Sequence, residues 1–296
     1  MIAVDIGNAR IKVGRFAPAW DQECSGLPNA PSHRRPGPGR KGSVGNDFPH
    51  GLPAPAATLS VDGTELRFDP LLDWLGKPPE SGFSWWIGSV NRPATTALLD
   101  WLHKTRPQDP ITLLSSADLP LTIRVPQPDR VGIDRLLDAV AANVLRSPEH
   151  PAVVVDVGTA ITIDLVAADG AFCGGAIAPG IAMSARALNE FTDLLPWVDV
   201  AELHEPPPPV GASTTEAMRS GLFWFAVGTI REFVAQMAAC NECSGRPVAP
   251  KEPNVFLTGG ASAAVAGLLG YRTQLVPHLA LAGIALTARG SRKGSL

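Results

Sequence analysis

Apolar positions along the chain alternate between short runs typical of strands and longer stretches with helical spacing. Residues 2–16 predict two short strands joined at Gly7-Asn8. Residues 132–145 predict a helix, because Leu136, Leu137 and Val140 recur on one face. The pattern also predicts a strand pair over 59–68 with a turn at Asp62-Gly63, strands over 83–90, 111–114, 121–125 and 255–257, two strands over 152–167 joined at Gly158-Thr159, and helices over 93–105, 184–194, 214–239, 261–269 and 279–288.

One segment interrupts this order of elements. Residues 26–57 are rich in Pro and Gly and lack periodic apolar positions, so we interpret them as a surface loop or insertion. Residues 37–42 of this segment have GxGxxG spacing, but no strand precedes them and no helix follows, so they do not predict a dinucleotide site. The segment carries a basic cluster of His33, Arg34, Arg35, Arg40 and Lys41.

A short pattern occurs once near the start of each half of the chain. Asp5 and Gly7 follow the apolar run 2–4, and Asp156 and Gly158 follow the apolar run 153–155. A duplicated strand and turn suggests two equivalent α/β domains that face each other across a cleft. We place these domains at residues 1–125, which include the insertion, and 126–296.

The composition argues against several classes of protein. The chain has 25 Lys and Arg against 28 Asp and Glu, a formal net charge of −3, which argues against coating of nucleic acid or anionic membrane. No apolar run approaches the roughly 20 residues that span a bilayer, and we expect a cytoplasmic protein. Cys240 and Cys243 form a single CxxC pair, and two ligands do not close a zinc site.

The duplicated turns have the chemistry of a phosphate site. Glycine lets the backbone approach a phosphate closely, and consecutive N–H groups form a concavity for an anion. An Asp beside such a turn can hold hydrated Mg²⁺, and Lys12 could reach the same anion. The alternative is a tight hairpin with a turn-stabilising Asp, which the second copy makes less favourable. Thr258-Gly259-Gly260 forms a third Gly-rich turn, and no GxxxxGK[ST] P-loop is present.

A second constellation stands at the start of the predicted helix over 132–145. Gly132, Ile133, Asp134 and Arg135 bring a carboxylate and a guanidinium to a helix N-terminus, where free N–H groups favour a polar or anionic substrate. The Arg can hold a carboxylate in a bidentate pair, and the Asp can take a proton from a hydroxyl. The alternative is an acidic first turn that only stabilises the helix.

These motifs, in this order, resemble type III pantothenate kinases, which belong to the actin, hexokinase and Hsp70-like ATPase superfamily. The resemblance covers the chain outside residues 26–57. It rests on Asp5-x-Gly7-Asn8, Gly132-x-Asp134-Arg135, Asp156-x-Gly158-Thr159-Ala160-x-Thr162, Gly174-Gly175-Ala176-Ile177-x-Pro179-Gly180, Leu194-Leu195-Pro196, Gly211-x-x-Thr214 with Ala217-Met218-x-Ser220-Gly221, and Thr258-Gly259-Gly260.

The resemblance implies two duplicated ribonuclease H-like domains with a nucleotide cleft between them. It implies phosphoryl transfer from ATP to pantothenate in coenzyme A synthesis, with Mg²⁺ accompanying ATP, by homodimers whose active sites lie near the subunit interface. By position, Asp134 corresponds to the catalytic base and Asp156 to the site of a monovalent cation, K⁺ or NH₄⁺. The implied substrate contacts are Gly132, Ile133, Asp134, Arg135 and Thr214, and the implied ATP contacts are Asp5, Ile6, Gly7, Asn8, Ala9, Arg10, Ile11, Lys12 and Thr159.

Three positions depart from the family pattern. Ala9 replaces a Thr of the phosphate loop, Ser213 replaces an Asn before the helix Thr, and Val125 replaces an aromatic residue near the substrate site. We expect these changes to affect affinity or substrate range more than the class of reaction.

Two other functions remain open from the sequence. One is a nucleotide-binding regulator on the same fold without catalysis, to which the basic cluster could add DNA contacts. The presence of both Asp134 and Arg135 argues against it, because a pure binder needs no such pair. The other is a kinase or phosphohydrolase of the same superfamily that acts on a sugar or polyphosphate.

Overall fold

The computed structural model describes residues 1–17, 51–240 and 252–293, apart from residues 78, 80, 81, 201, 202 and 204. The predicted insertion up to residue 50, with its basic cluster, lies outside the described residues, as do Cys24 and Cys243. The strands are β1 (Ile2–Ile6), β2 (Arg10–Arg15), β3 (Ala57–Asp62), β4 (Trp85–Ser89), β5 (Ile111–Leu113), β6 (Ala152–Val157), β7 (Ala160–Val166), β8 (Phe172–Pro179), β9 (Asn254–Thr258) and β10 (Thr273–Leu275). The helices are α1 (Asp69–Leu75), α2 (Arg92–Thr105), α3 (Ile133–Leu145), α4 (Ile181–Glu190), α5 (Thr214–Ala239), α6 (Ser262–Ala266) and α7 (Leu279–Lys293).

The strands form two five-stranded sheets with the same internal order. The first sheet runs β3-β2-β1-β4-β5, and the second, taken from its far edge, runs β8-β7-β6-β9-β10. In each sheet the second strand along the chain pairs antiparallel with both the first and the third. The first strand, which lies at the centre of the sheet, pairs parallel with the fourth. This repeated 3-2-1-4-5 order confirms the predicted α/β fold with two duplicated ribonuclease H-like units.

Helices α3 and α7 occupy the layer between the two sheets. Because side chains alternate between the faces of a strand, Ala3 and Asp5 share one face of β1, and Val154 and Asp156 share one face of β6. Ala3 and Val154 belong to the same buried cluster as the apolar residues of α3 and α7. The opposite faces are covered by α1 and α2 on the first sheet and by α4, α5 and α6 on the second. Asp5 and Asp156 therefore both lie on the faces directed at α3 and α7.

Glycines permit close contact in this central layer. A Cβ on Gly283 of α7 would meet the backbone of Leu137 on α3, 2.7 Å from its carbonyl carbon. A Cβ on Gly88 of β4 would lie 2.6 Å from Leu137 Cδ1, so the first sheet also approaches α3 closely. Small residues at these points allow α3 to pack closely against α7 and β4.

Several predicted elements differ in the structure. The second strand predicted within 59–68 is absent, because Asp62 accepts hydrogen bonds from the backbone of Thr64 and Glu65 and turns the chain away. The strand predicted over 121–125 is reduced to one bridge, between Ile123 and Phe172. Helix α1 and strands β8 and β10 were not predicted.

The end of the predicted insertion belongs to the folded body. Leu52 is buried in the core cluster that includes α3 and α7, and β3 begins at Ala57. The prediction of a surface loop is therefore wrong for this end of the segment, because a single apolar residue gives no periodic signal. The boundary between residues 125 and 126 stays a prediction. Across it, α7 packs against the first sheet, where a Cβ on Gly14 would lie 3.1 Å from Leu281.

The contact of α3 with α7 makes a clear prediction about stability. Replacing Gly283 with Ala should lower the melting temperature, because its Cβ would meet helix backbone that cannot rotate away. Gly290→Ala is the matched control on the same helix, since its Cβ would meet nothing within 4 Å. In a helix that control should be neutral or stabilising by about 0.5–1 kcal/mol. Thermal melts of both variants measure the difference, and equal melting temperatures would contradict the close contact.

Candidate active site

The turn between β1 and β2 carries the first acidic group of the site. Asp5 lies directly opposite Lys12 across the antiparallel pair, and the Lys12 Nζ is 3.6 Å from Asp5 Oδ2. The turn is closed by the Gly7 N–H, which donates to the carbonyl of Arg10 at 3.0 Å. Asn8 and Ala9 are exposed at its tip. The predicted ATP segment is therefore one hairpin, with its acid and base paired beneath an open turn.

The turn between β6 and β7 repeats this arrangement. Asp156 lies directly opposite Thr162, and the Gly158 N–H donates to the carbonyl of Ala160 at 3.0 Å. Thr159 is exposed at the tip, as Asn8 is in the first hairpin. In the second copy a hydroxyl replaces the ammonium of Lys12. The two predicted phosphate turns thus have equivalent backbone hydrogen bonds. The residues opposite their acids differ in charge, because Lys12 is cationic and Thr162 is neutral.

The first turn of α3 carries the third group. Asp134 Oδ1 accepts a hydrogen bond from the Arg135 N–H at 2.8 Å, and Gly132 is the N-cap residue. A Cβ on Gly132 would lie 2.6 Å from Asp134 Oδ1, so glycine at this position lets the carboxylate fold back toward the start of the helix. Asp134 therefore lies in the first turn of α3, as the alternative of a merely helix-stabilising acid also predicts. The N-cap position itself is held by Gly132.

Arg135 is held by a buried partner. Its Nε lies 3.0 Å from Asp164 Oδ2 on β7, its Nη2 also donates to Asp164, and its guanidinium stacks 5.7 Å from the centre of the Phe172 ring. The glycine at 175 fits this pair, because a Cβ there would lie 2.5 Å from Asp164 Oδ1. The Nε and Nη2 edge of the Arg135 guanidinium, which the sequence predicted to bind substrate, thus already donates to the Asp164 carboxylate.

A fourth carboxylate, Asp138, lies one helical turn after Asp134 on α3. Residues four apart share a helix face, so both carboxylates point toward the strand ends that carry Asp5 and Asp156. Asp138 is only 4% exposed, and its Oδ1 accepts no hydrogen bond from the described residues. The acidic cluster of Asp5, Asp134, Asp138 and Asp156 therefore surrounds Lys12 between the two sheets.

Burial and mutual repulsion set the protonation of this cluster. Burial raises the pKa of Asp5 to about 6, against the opposing pull of Lys12. Burial likewise raises the pKa of Asp134, and burial together with the charge of Asp156 raises the pKa of Asp138 well above its ordinary range. Burial lowers the pKa of Lys12, but the charges of Asp5 and Asp156 outweigh it, and the net pKa is raised. When all four carboxylates are ionised, their negative charge exceeds the single positive charge of Lys12.

A third glycine turn covers Asp156. Gly259, which follows β9, has a φ of +94°, and a Cβ on it would strike Asp156 Oδ1. That oxygen is buried and accepts no hydrogen bond within the described part of the chain. The predicted Thr258-Gly259-Gly260 turn therefore closes over the second acidic strand end, and glycine is required by both its φ and its contact.

The remaining predicted residues lie apart from the cluster. Thr214 is exposed at the start of α5, and no hydrogen bond among the described residues joins it to the cluster. Ser213 caps that helix by accepting the Glu216 N–H at 3.3 Å, so it retains a capping oxygen where the family pattern has Asn. Val125 lies 3.5 Å from where a Cβ on Gly174 would stand.

Sequence reasoning missed three side chains here. Asp138 could have been found from its spacing of four after Asp134, and Asp164 from its position two residues after Thr162 on a strand that otherwise reads as apolar. His278 precedes α7 with a φ of +56°, and burial and the charge of Lys12 lower its pKa. No local pattern marks His278, because only the packing of α7 brings it near Lys12.

Among the described residues, no three His, Cys, Asp or Glu side chains are arranged to ligate one metal ion. In the same part of the chain, no helix is both long and apolar enough to cross a membrane.

The duplicated sheets, each with an acidic residue at the end of its first strand, define the class of actin-like two-domain folds. Residues 59–236 match the family described as type III pantothenate kinase. This protein belongs to that family.

Curated relatives carry the same description. A type III pantothenate kinase of Phenylobacterium zucineum is 34% identical over 177 residues, covering 60% of this chain and 63% of the relative. One of Caulobacter vibrioides is 38% identical over 57% of this chain and 59% of its own, and one of Dehalococcoides mccartyi is 32% identical over 66% and 71%. The matches thus span about three fifths of the length of the first two relatives.

Solved structures share less sequence identity with this chain than the curated relatives do. An activator of 2-hydroxyisocaproyl-CoA dehydratase from Clostridium difficile with bound ADPNP superposes with a TM-score of 0.48 at 12% identity, covering 100% of this chain and 96% of its own.

The raised pKa of Asp5 predicts a pH dependence of stability. Because its pKa is about 6 in the fold against an ordinary value of 3.8, the folded state binds the proton more tightly. The free energy of unfolding should therefore fall as the pH rises from about 4 to about 6, by at most about 3 kcal/mol from this group. The Asp5→Asn variant has no carboxyl that titrates at this position, so its free energy of unfolding should not fall in this way. Its stability relative to the parent should therefore increase between about pH 4 and about pH 6 and then level off.

Urea denaturation of both proteins at several pH values between 4.5 and 7.5 measures this difference. The exposed Asp73→Asn variant on α1 is the matched control. A difference in the free energy of unfolding between Asp5→Asn and the parent that stays flat with pH would contradict the raised pKa of the buried Asp5 carboxyl.

Proposed function

We propose that this protein transfers the γ-phosphoryl group of ATP to the primary hydroxyl of pantothenate, forming 4′-phosphopantothenate in the synthesis of coenzyme A. The observation that carries the proposal is the position of Asp134. It stands at the start of α3, beside the ends of the two strands whose turns resemble phosphate-binding turns. Membership of the family supports the same reaction.

Asp134 is suited to act as the catalytic base. As the pantothenate hydroxyl oxygen bonds to the γ-phosphorus, the bond to the β-phosphate oxygen breaks, ADP leaves, and the hydroxyl proton passes to the Asp134 carboxylate. Burial raises the pKa of that carboxylate and makes it a better proton acceptor. Since phosphoryl transfer depends mainly on positioning and charge stabilisation, holding the carboxylate through the Arg135 N–H also helps to orient the hydroxyl.

The two hairpins would hold ATP between them. The first contributes Lys12 as the cation for the phosphates, below the open turn of Gly7, Asn8 and Ala9. The second contributes the turn at Thr159. The proposed ATP contacts are those implied by the resemblance: Asp5, Ile6, Gly7, Asn8, Ala9, Arg10, Ile11, Lys12 and Thr159.

The site fits cations as well as ATP. The buried, unpartnered Asp156 Oδ1 is an acceptor that a cation could satisfy, which supports Asp156 as the ligand of K⁺ or NH₄⁺. Mg²⁺ would accompany ATP, with the carboxylates of Asp5 and Asp156 facing its hydration shell. When bound, these ions neutralise phosphate charge; the residues of the cluster supply the ligands and the proton acceptor.

Gly132, Ile133, Asp134, Arg135 and Thr214 are the proposed substrate contacts. The ion pair of Arg135 with Asp164 changes what Arg135 can do, because the Nε and Nη2 edge already faces a carboxylate. Arg135 would therefore orient pantothenate by its remaining N–H groups, rather than by a bidentate pair on that edge. We place this reaction in the cytoplasm, where ATP is available.

We also propose that the protein acts as a homodimer. Phe191, Leu194 and Trp197, which follow α4, are exposed together with Phe225 on the adjoining helix α5; Leu194 is 87% exposed. Apolar side chains grouped in this way are typical of a surface that another molecule covers.

A direct assay separates this proposal from its alternatives. The protein is incubated with ATP, Mg²⁺ and K⁺, with and without pantothenate, and the products are analysed by mass spectrometry. The proposal expects 4′-phosphopantothenate and ADP only with pantothenate. Binding of ATP without product would favour a nucleotide-binding regulator, and phosphorylation of a sugar in place of pantothenate would favour another kinase of the superfamily.

Replacing Asp134 with Asn should lower kcat by roughly 10²–10⁴-fold, because the variant keeps the shape but loses the proton acceptor. Binding of ATP should change little, since the hairpins hold the nucleotide. Steady-state kinetics and a thermal melt test this, with the exposed Asp129→Asn variant as control. A folded Asp134→Asn enzyme with parental kcat would remove Asp134 from this role and leave helix stabilisation as its function.

Leu194→Glu should convert the proposed dimer to monomers, because a charge would enter the covered surface. Leu72→Glu on α1, another exposed leucine, is the matched control and should leave the dimer intact. Light scattering coupled to size-exclusion chromatography measures the mass of each. A parent protein that is monomeric at micromolar concentration would contradict the proposal.

A further inference from the structure

Two buried carboxylate oxygens in the centre of the molecule lack a partner. Asp138 Oδ1 on α3 and Asp156 Oδ1 on β6 are both buried and accept no hydrogen bond from the described residues. Such groups are rare in folded proteins, because leaving a buried charged acceptor unpaired costs several kcal/mol. A bound proton or a bound cation would remove this cost at each oxygen.

The fold places these two oxygens on facing surfaces. Asp156 shares its face of β6 with Val154, which packs against α3, and Asp138 lies on α3 in the same central layer. Among the charged side chains around Asp138, Asp156 exerts the strongest effect. The Gly259 turn also lies against Asp156 Oδ1. The two carboxylates are thus neighbours in an enclosed place, and not members of a solvated acidic surface.

A weakly hydrated ion fits this enclosure best. Asp138 is 4% exposed, so an ion beside it must give up most of its water. Mg²⁺ loses water reluctantly and usually keeps several water ligands, whereas carboxylate and backbone carbonyl oxygens can replace the shell of a larger monovalent cation. Lys12 lies near both carboxylates, but its Nζ is placed against Asp5, at 3.6 Å.

We infer that Asp138 is a second ligand, opposite Asp156, of one monovalent cation held between α3 and β6. This inference rests on the cation site of the proposed function and extends it to a residue on the helix of the catalytic base. The ion would join the second sheet to α3, one turn from Asp134. Binding of the cation would therefore also fix the position of the helix that carries the base.

The test uses thermal stability, which requires no turnover. The full chain is melted in K⁺ and in tetramethylammonium at equal ionic strength, with and without a non-hydrolysable ATP analogue and Mg²⁺. K⁺ should raise the melting temperature of the parent by about 2–5 °C, because it binds only the folded state. Asp138→Val, which removes both oxygens, should lose this increase, and Asp138→Asn, which keeps one neutral oxygen, should retain only part of it.

Asp129→Asn, an exposed substitution shortly before α3, is the matched control and should keep the full increase with K⁺. A full increase in Asp138→Val would overturn the inference. If the Val variant does not fold, Asp138→Asn decides: an increase equal to that of the parent would show that K⁺ is bound without the Asp138 carboxylate and would overturn the inference, as would a parent that gains no stability from K⁺. Because no arm depends on pantothenate, a protein that fails the kinase assay but shows this pattern would refute the proposed function and leave the cation site standing.

Discussion

The burial of like charges around one helix is the constraint on which the rest of the structure depends. Four carboxylates, at Asp5, Asp134, Asp138 and Asp156, surround Lys12 in a layer closed by two sheets. Burial disfavours their ionised forms, and the charges of Asp134 and Asp156 further raise the pKa of Asp5 and of Asp138. On the proposed function, cations that accompany a polyphosphate would offset this charge. Ligand binding would then be linked to the stability of the cluster.

The duplicated fold explains how one chain gathers these groups. Asp5 and Asp156 are the next-to-last residues of equivalent strands in the two sheets. Both direct their carboxylates at the central layer because these strands have the same position in the 3-2-1-4-5 order. Helix α3 supplies what neither sheet has, a carboxylate at a helix start that faces both turns. Glycines at 88 and 283 permit this, because larger residues would hold α3 away from the first sheet or from α7.

Local patterns were enough to predict the parts of the site that lie in one segment. The repeated Asp-x-Gly, the helix that starts at Gly132 and the turn at Gly259 all have sequence signals, and the repeat predicted the duplicated fold. The sequence could not reveal partners brought together from distant segments. Arg135 seemed free to bind a substrate because Asp164, 29 residues later, reaches it only through the packing of α3 on β7. His278 was missed for the same reason, whereas Asp138 had a local signal in its spacing of four after Asp134.

The most direct test of this account is a crystal structure of the protein with a non-hydrolysable ATP analogue, Mg²⁺, K⁺ and pantothenate. The account predicts that the phosphates lie between the turns at Gly7 and Gly158. It also predicts that the primary hydroxyl of pantothenate lies within hydrogen-bond distance of the Asp134 carboxylate and in line with the γ-phosphorus. A nucleotide bound away from both turns, or a pantothenate hydroxyl directed away from Asp134, would contradict it.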